Sequence, residues 1–263
     1  MTYARYVALG DSQTEGLCDG DESSGYRGWA DRLAEHLAAV NPALLYANLG
    51  VRGRLAAQVR REQLGPALDL RPDLATVAAG MNDLIRPSFD AAGVTAHLEA
   101  MFAALTAAGA HVVTVAFPDI SKIMPLARPL LPRLLDFNQR IRDAAIRQGV
   151  TVIDTFPHAL FTDPRMWSAD RLHASPLGHA RFAAAAASVL DLPGSDDCWE
   201  LPLPAQPPPR PWGAAATGLW WAGAYAGPWI YRRLLRRSTG DGRTAKRPDL
   251  TPVSQPMPIP GDR

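Results

Sequence analysis

Short apolar runs alternate with longer amphipathic stretches over roughly the first three quarters of the chain. The runs contain five or six residues and few polar positions, which is typical of strands covered on both faces. These predicted strands span residues 6–10, 44–49, 74–79, 111–116 and 150–154. The predicted helices span residues 28–40, 55–64, 94–108, 130–148 and 176–190. Repeated strand–helix units predict right-handed crossovers and a three-layer α/β/α domain of flavodoxin-like type with a five-stranded parallel sheet.

The composition of the chain changes near residue 193. Thirteen of the 24 prolines fall in the last 71 residues, and sequence this rich in proline does not build a core of its own. We therefore predict an α/β domain at residues 1–192 and a proline-rich C-terminal extension at residues 193–263, with disorder beyond residue 238.

One part of the extension, residues 212–237, combines aromatic and basic side chains. Residues 212–231 carry no charge and hold four of the seven tryptophans, and four arginines follow within residues 232–237. Such a stretch suits packing against the domain, peripheral contact with a membrane surface, or a membrane-spanning helix. All three interpretations stay open, because four glycines and a proline make the stretch only weakly apolar.

Charge and cysteine content narrow the class of protein. The chain has 27 Lys and Arg against 26 Asp and Glu, so its net charge of +1 provides no basic field for nucleic acid. Cys18 and Cys198 lie far apart in sequence, which excludes a disulfide framework and favours a reducing compartment. The first apolar run begins at residue 6, which leaves no space for a secretory leader before it. We therefore expect a cytoplasmic protein, with membrane association only through the extension.

Polar residues follow the predicted strands at their carboxyl ends, where parallel α/β sheets bind ligands. Ser12 comes directly after the first strand, where a hydroxyl lies near backbone N–H groups. Asp170 and His173 follow the last strand at a spacing that lets the carboxylate orient the imidazole as a proton acceptor. Gly53 and Asn82 follow the second and third strands, and they offer donors for an oxyanion. Each residue alone also fits an ordinary role in a helix cap, a turn or a surface pair.

The order of the motifs makes their combination specific. Gly-Asp-Ser at residues 10–12, the stretch 48–53, Gly-Met-Asn-Asp at 80–83 and Asp-Arg-Leu-His at 170–173 each lie at a strand's carboxyl end. On these motifs the chain resembles the SGNH hydrolase superfamily of GDSL-type esterases and lipases. Its Gly-Asp-Ser-x-Thr-x-Gly stretch is similar to a bacterial subgroup of that family. Gln13 departs from the family name, which has leucine there, and the extension lies outside the family pattern.

The resemblance implies a serine esterase that works through an acyl-enzyme. It assigns Ser12, Asp170 and His173 to a catalytic triad, and Ser12, Gly53 and Asn82 to an oxyanion hole. It implies no metal and no organic cofactor. The expected partner is a small-molecule ester. The apolar segment at residues 117–130 either lines a pocket for a lipid-like acyl group or packs on the core.

Two other functions and one other fold remain as alternatives. A carbohydrate O-deacetylase would use the same site with a different pocket, and a non-catalytic lipid- or ligand-binding module would keep the fold without the reaction. A response-regulator or flavin-binding domain would share the sheet. A response-regulator domain needs an acidic cluster, which Asn82 and Asp83 supply only in part. A flavin-binding domain needs a phosphate-binding loop, which the sequence does not show.

Overall fold

The five predicted strands form the parallel part of one central sheet. The structure is a computed structural model, and it describes residues 2–205 and 240–253. The strands are β1 (Arg5–Gly10), β2 (Gly20–Asp21), β3 (Gly25–Tyr26), β4 (Leu45–Asn48), β5 (Leu74–Ala78), β6 (His111–Ala116), β7 (Thr151–Asp154) and β8 (Arg247–Pro252). The sheet has the order β7-β6-β5-β1-β4-β8, while β2 and β3 pair separately. In this sheet, the five neighbouring strands β7, β6, β5, β1 and β4 are parallel, and their order is the flavodoxin-like one. The predicted fold class is confirmed.

Helices connect the parallel strands, and the five predicted long helices are all present. The helices are α1 (Ser12–Glu15), α2 (Trp29–Val40), α3 (Ala56–Asp69), α4 (Met81–Leu84), α5 (Ala91–Ala107), α6 (Ile120–Ile123), α7 (Leu131–Gln148) and α8 (Pro176–Val189). The short helices α1 and α4 begin directly after the carboxyl ends of β1 and β5. They therefore occupy the edge of the sheet at which ligands bind in α/β folds.

Both faces of the sheet are covered, which explains why its strands lack polar alternation. Tyr6 and Ala8 of β1 belong to the core that includes residues of α2 and α8. Val7 and Leu9 belong to the opposite core, which includes residues of α3, α5 and α7. Because successive strand residues point to opposite faces, each of residues 6–9 of β1 lies in an apolar core and needs an apolar side chain.

The sheet has a sixth strand that the sequence analysis did not predict. Strand β8 comes from the C-terminal extension and pairs antiparallel with β4, with Tyr46 opposite Thr251. The prediction of a five-stranded sheet is therefore corrected to six strands, and the prediction of disorder beyond residue 238 is wrong for residues 240–253. Most residues of β8 are exposed, because it is an edge strand and carries polar residues and prolines. Because this strand contains no apolar run, the hydrophobic pattern of the sequence did not predict it.

Two contacts near β8 hold the extension against the domain. Lys246 Nζ lies 2.6 Å from Asp31 Oδ2 on α2. Gly240 is buried, and a Cβ atom at its position would lie 1.9 Å from the carbonyl oxygen of Arg52. The boundary between residues 192 and 193 stays a prediction, and residues 212–237 lie outside the described part of the chain. Within residues 2–205 and 240–253, no helix combines the length and the apolar character needed to cross a membrane.

Replacing Gly240 with alanine tests this packing. Because the new methyl group would overlap a backbone oxygen, we expect the free energy of unfolding to fall by about 1–3 kcal/mol. Urea unfolding of Gly240→Ala beside wild type measures it. Gly65→Ala is the control, since a Cβ atom there meets nothing within 4 Å, and we expect it to leave the protein at least as stable. Equal midpoints for wild type and Gly240→Ala would contradict the close packing.

Candidate active site

The first strand ends in a turn that carries Ser12. Asp11 caps helix α1 by accepting a hydrogen bond from the Gln13 N–H at 3.2 Å, and Ser12 is the first residue of that helix. The helix ends at Gly16, whose φ of 97° lies in the left-handed region that favours glycine. The turn therefore positions the Ser12 hydroxyl at the carboxyl edge of the sheet, where the sequence predicted it.

A chain of hydrogen bonds connects Ser12 with His173 and Asp170. His173 Nε2 lies 3.0 Å from Ser12 Oγ, and His173 Nδ1 lies 2.6 Å from Asp170 Oδ2. The other carboxylate oxygen, Asp170 Oδ1, accepts hydrogen bonds from the His173 N–H at 3.0 Å and from Ser168 Oγ at 2.5 Å. With the proton on Nδ1, the imidazole presents Nε2 to the serine hydroxyl as an acceptor. The structure thus brings together the three side chains predicted to form a triad.

The electrostatics of this chain favour an ionised aspartate beside a basic histidine. Burial raises the pKa of Asp170, but hydrogen bonds and charge from His173 outweigh it and hold that pKa well below its usual range. Burial lowers the pKa of His173, while hydrogen bonds with Asp170 and Cys18 raise it to about 9. Asp170 therefore raises the proton affinity of the imidazole, and only the neutral form of His173, which becomes more populated as the pH rises towards 9, can accept a proton from Ser12.

Gly53 reaches this edge of the sheet through the loop after β4. The Val51 N–H donates to the Gly10 carbonyl at 3.2 Å, which brings that loop against the end of β1. Within the described ranges, the backbone N–H groups of Ser12 and Gly53 donate to no other residue. The two N–H groups that the sequence predicted as oxyanion donors therefore have no acceptor among the described residues.

A buried ion pair connects helix α1 with the loop that leads to Gly53. Arg52 Nη2 lies 2.5 Å from Glu15 Oε1, and the Arg52 backbone N–H donates to Glu15 Oε2 at 2.7 Å. The two side chains are only 9% and 8% exposed. One carboxylate thus holds both the side chain and the backbone of the residue that precedes Gly53.

Asn82 lies beside the residue that precedes Ser12. Its side-chain Nδ2 donates to Asp11 Oδ2 at 3.0 Å and to the Arg54 carbonyl at 3.2 Å. Burial raises the pKa of Asp11 to about 6, although the Gln13 N–H, the charge of His173 and Asn82 oppose this rise. Both hydrogens of the Asn82 amide therefore have acceptors in this structure, and one of those acceptors is a carboxylate that ionises with difficulty.

Gln13 has a structural role that the sequence analysis did not identify. Its Nε2 donates to the Leu172 carbonyl at 2.9 Å, and its Oε1 accepts from the Ala174 N–H at 3.3 Å. These two bonds hold the backbone on both sides of His173. The signal was present in the sequence, since Gln13 is the position at which the Gly-Asp-Ser motif departs from the family name, and leucine there would make neither bond.

The nearby His179 is a structural residue. It is fully buried, its Nδ1 accepts from the Trp29 N–H at 3.1 Å, and its Nε2 bonds the Leu17 carbonyl at 3.0 Å. Burial lowers the pKa of His179 to about 4, so the ring is neutral and joins α8 to α2 and to the turn after α1. His179 therefore has a different role from His173. The sequence indicated this difference, because no aspartate stands three positions before His179.

Comparison with known protein families decides the relationship that the motifs suggested. The model of the GDSL-like Lipase/Acylhydrolase family matches residues 8–181, about two thirds of the chain, and this range contains Ser12, Gly53, Asn82, Asp170 and His173. The chain belongs to this family. It is therefore a carboxylic ester hydrolase, and the predicted enzyme class is confirmed. Among curated proteins, no sequence matches this member of the family.

Solved structures share the fold of this GDSL-like hydrolase. LAE5, an α/β hydrolase from the metagenome of Lake Arreo, Spain, is 20% identical with a TM-score of 0.61, over 72% of this chain and 95% of its own. Axe2, an acetylxylan esterase from Geobacillus stearothermophilus, is 18% identical with a TM-score of 0.61, over 72% and 94%. The lipase/acylhydrolase from Enterococcus faecalis is 22% identical with a TM-score of 0.57, over 72% and 94%. At these identities, the likeness shows a common fold.

Replacing Gln13 with leucine tests its role in positioning His173. The variant loses both bonds to the backbone around His173, so we expect kcat for p-nitrophenyl acetate to fall by roughly 10–100-fold with little change in KM. Steady-state kinetics of Gln13→Leu and of the closer mimic Gln13→Glu measure this. Glu keeps the acceptor for the Ala174 N–H, so its loss should be smaller. An unchanged kcat in Gln13→Leu would show that the two bonds do not position the imidazole.

Proposed function

We propose that this hydrolase is a serine esterase that cleaves a carboxylic ester through Ser12, His173 and Asp170. The observation that carries the proposal is the continuous hydrogen-bonded chain from the Ser12 hydroxyl through the imidazole to the half-buried carboxylate of Asp170, with distances of 3.0 and 2.6 Å. A hydroxyl is a weak nucleophile until an adjacent base removes its proton, and this arrangement supplies that base together with the group that orients it.

The proposed reaction has two acyl-transfer steps. Ser12 Oγ attacks the ester carbonyl carbon while its proton passes to His173 Nε2. The tetrahedral intermediate then releases the alcohol, which takes the proton from His173, and leaves an acyl-enzyme. Water attacks the acyl carbon while His173 accepts its proton, and collapse of the second intermediate returns the proton to Ser12 and frees the acid. Asp170 stays ionised throughout and stabilises the imidazolium.

The proposed oxyanion hole consists of the Ser12 and Gly53 N–H groups and the Asn82 amide. The first two have no other acceptor among the described residues, so they are ready to bind the oxyanion. Asn82 donates to Asp11 before substrate binds. As negative charge develops on the substrate oxygen, the amide exchanges Asp11 for that stronger acceptor, which makes its contribution largest in the transition state.

The solved structures of Axe2 support these assignments. They include catalytic mutants of that acetylxylan esterase in which a serine, an aspartate or a histidine is replaced by alanine. In Axe2 the mutated aspartate stands three positions before the mutated histidine, the spacing of Asp170 and His173 in this chain. The Gly-Asp-Ser-x-Thr-x-Gly stretch at residues 10–16 supports placing the chain in the bacterial subgroup with that motif.

The second candidate function is carbohydrate O-deacetylation by the same residues. The observation that favours it is the shared fold with Axe2, an acetylxylan esterase. An ester with a lipid-like acyl group is the other candidate substrate. The segment at residues 117–130 leaves both open, because Ile123 is buried whereas Leu126 is 73% exposed. We retain a cytoplasmic location as a prediction, and membrane contact depends on residues 212–237, outside the described part of the chain.

Ser12→Ala tests the proposed nucleophile. We expect hydrolysis of p-nitrophenyl esters to fall on the order of 10⁴–10⁶-fold, because no other group can form the acyl-enzyme. Spectrophotometric assays from the acetyl to the palmitoyl ester measure this, and the preferred chain length separates a small acetyl site from a lipid-like one. The exposed Ser88→Ala is the matched control and should retain the wild-type rate. Equal rates in Ser12→Ala and wild type would exclude Ser12 as the nucleophile.

Asn82→Ala tests the proposed oxyanion hole. Losing one such donor should lower kcat on the order of 10²–10³-fold, with a smaller effect on KM, because the donor acts mainly in the transition state. Steady-state kinetics on the preferred ester give both constants. Labelling of Ser12 by an ester-mimicking phosphonate reports separately whether the nucleophile is intact. A wild-type kcat in Asn82→Ala would remove Asn82 from the oxyanion hole.

A further inference from the structure

The Cys18 thiol lies beside the imidazole proposed to receive the Ser12 proton. The Cys18 sulfur, a ring nitrogen of His173 and a carboxylate oxygen of Asp170 all lie within 4.8 Å of one another. Cys18 also contributes to the raised pKa of His173. Cys18 is exposed, and the other two are half-buried, so a solute reaches this group of atoms from the solvent side.

The backbone holds Cys18 at this position. Its φ of 71° lies in the left-handed region, where the chain turns sharply after helix α1. The preceding residue is held from two sides, since the Leu17 N–H donates to the Ser12 carbonyl at 3.1 Å and His179 Nε2 bonds the Leu17 carbonyl at 3.0 Å. The sulfur is therefore carried by the same hydrogen-bonded turn as the proposed nucleophile.

The three side chains form a donor set with a distinct metal preference. Thiolate, imidazole and carboxylate are the three protein ligands of Zn²⁺, and sites with three of them keep a fourth position for water. A thiolate beside an imidazole favours soft or borderline ions over Mg²⁺ or Ca²⁺, which prefer oxygen ligands. Because the three donor atoms lie within 4.8 Å of one another, side-chain rotations that bring them closer would let one ion contact all three.

We propose that Cys18, His173 and Asp170 form a binding site for a zinc-like divalent cation, and that an ion bound there inhibits the esterase. The site itself stands on the geometry alone, whereas the inhibition rests on the proposed function. His173 Nε2 faces Ser12 and Nδ1 faces Asp170, so an ion on either nitrogen breaks one link of the hydrogen-bonded chain.

Binding also follows a defined proton balance. The ion takes the thiolate of Cys18 and the neutral imidazole of His173, so the thiol proton and, at a pH below the His173 pKa of about 9, an imidazole proton go to solvent. No bond to substrate forms or breaks, so removal of the ion by a chelator restores the free side chains. The ion is in this sense a reversible ligand of the resting enzyme and has no part in the acyl-transfer steps.

The two cysteines of the chain supply a matched pair of variants. Cys198 is also exposed, but it lies in the 3₁₀ helix Asp197–Glu200 and belongs to no such cluster among the described residues. Equilibrium dialysis of the full chain against ZnCl₂ should give one bound ion for wild type and for Cys198→Ser. For Cys18→Ser, we expect the Kd to rise by at least about 10–100-fold. Equal affinities in Cys18→Ser and wild type would overturn the site.

Co²⁺ gives a second readout that does not depend on activity. A cobalt–thiolate bond produces a charge-transfer absorption, which should appear in wild type and in Ser12→Ala and be absent from Cys18→Ser. Because Ser12→Ala retains all three ligands, it separates the ion site from catalysis. A cobalt spectrum identical in Cys18→Ser and wild type would also overturn the assignment of the sulfur as a ligand.

Inhibition is measured on p-nitrophenyl acetate, relative to each variant's own rate without metal. Zn²⁺ should inhibit wild type and Cys198→Ser at concentrations near the dialysis Kd, EDTA should reverse the inhibition, and Cys18→Ser should need at least about 10-fold more zinc. Stoichiometric binding with an unchanged rate would overturn the inhibitory role. Failure of the proposed function would appear differently, as absence of Ser12-dependent hydrolysis with metal binding intact.

Discussion

The buried ion pair between Glu15 and Arg52 joins the two backbone segments on which the site depends. Glu15 ends the short helix that begins at Ser12, and Arg52 directly precedes Gly53. One carboxylate binds both the guanidinium and the backbone N–H of Arg52, while a second guanidinium nitrogen lies 3.1 Å from Glu22. Removing one partner of such a buried pair costs about 3–5 kcal/mol, because the other charge is left without compensation. The ion pair therefore fixes the position of Ser12, the proposed nucleophile, relative to the loop that carries Gly53.

Parallel topology accounts for the rest of the site. The five parallel strands all deliver their carboxyl ends to one edge, so residues as distant in sequence as Ser12 and His173, 161 positions apart, meet at 3.0 Å. Two further side chains hold the residues around this contact in place. Gln13 holds the backbone around His173, and Asp11 holds the Asn82 amide. The turn at residues 11–13 therefore contacts both the backbone around His173 and the Asn82 side chain.

The C-terminal extension adds a part that the family match does not include, since that match ends at residue 181. Strand β8 closes the edge of the sheet at β4, and Arg243 reaches Glu22 at 2.8 Å. Because Glu22 also contacts Arg52, the extension is connected to the charged network that holds the residue before Gly53. Gly240 packs on the Arg52 carbonyl and adds a steric contact to this network. Residues 240–253, which lie outside the family match, therefore add contacts that stabilise the family fold in this chain.

The sequence by itself determined the five parallel strands, the long helices and the family, because burial on both faces demands uninterrupted apolar runs and the motifs follow those runs in order. The order of the four motifs, and the family resemblance that they carry, also singled out Ser12, Gly53, Asn82, Asp170 and His173 as candidates. Only the tertiary structure decided the sixth strand, whose residues are polar because an edge strand faces solvent. It alone decided the roles of Gln13 and Asp11 and the approach of Cys18 to His173. These contacts join residues far apart in the chain or depend on side-chain direction, and neither periodicity nor spacing encodes such distances.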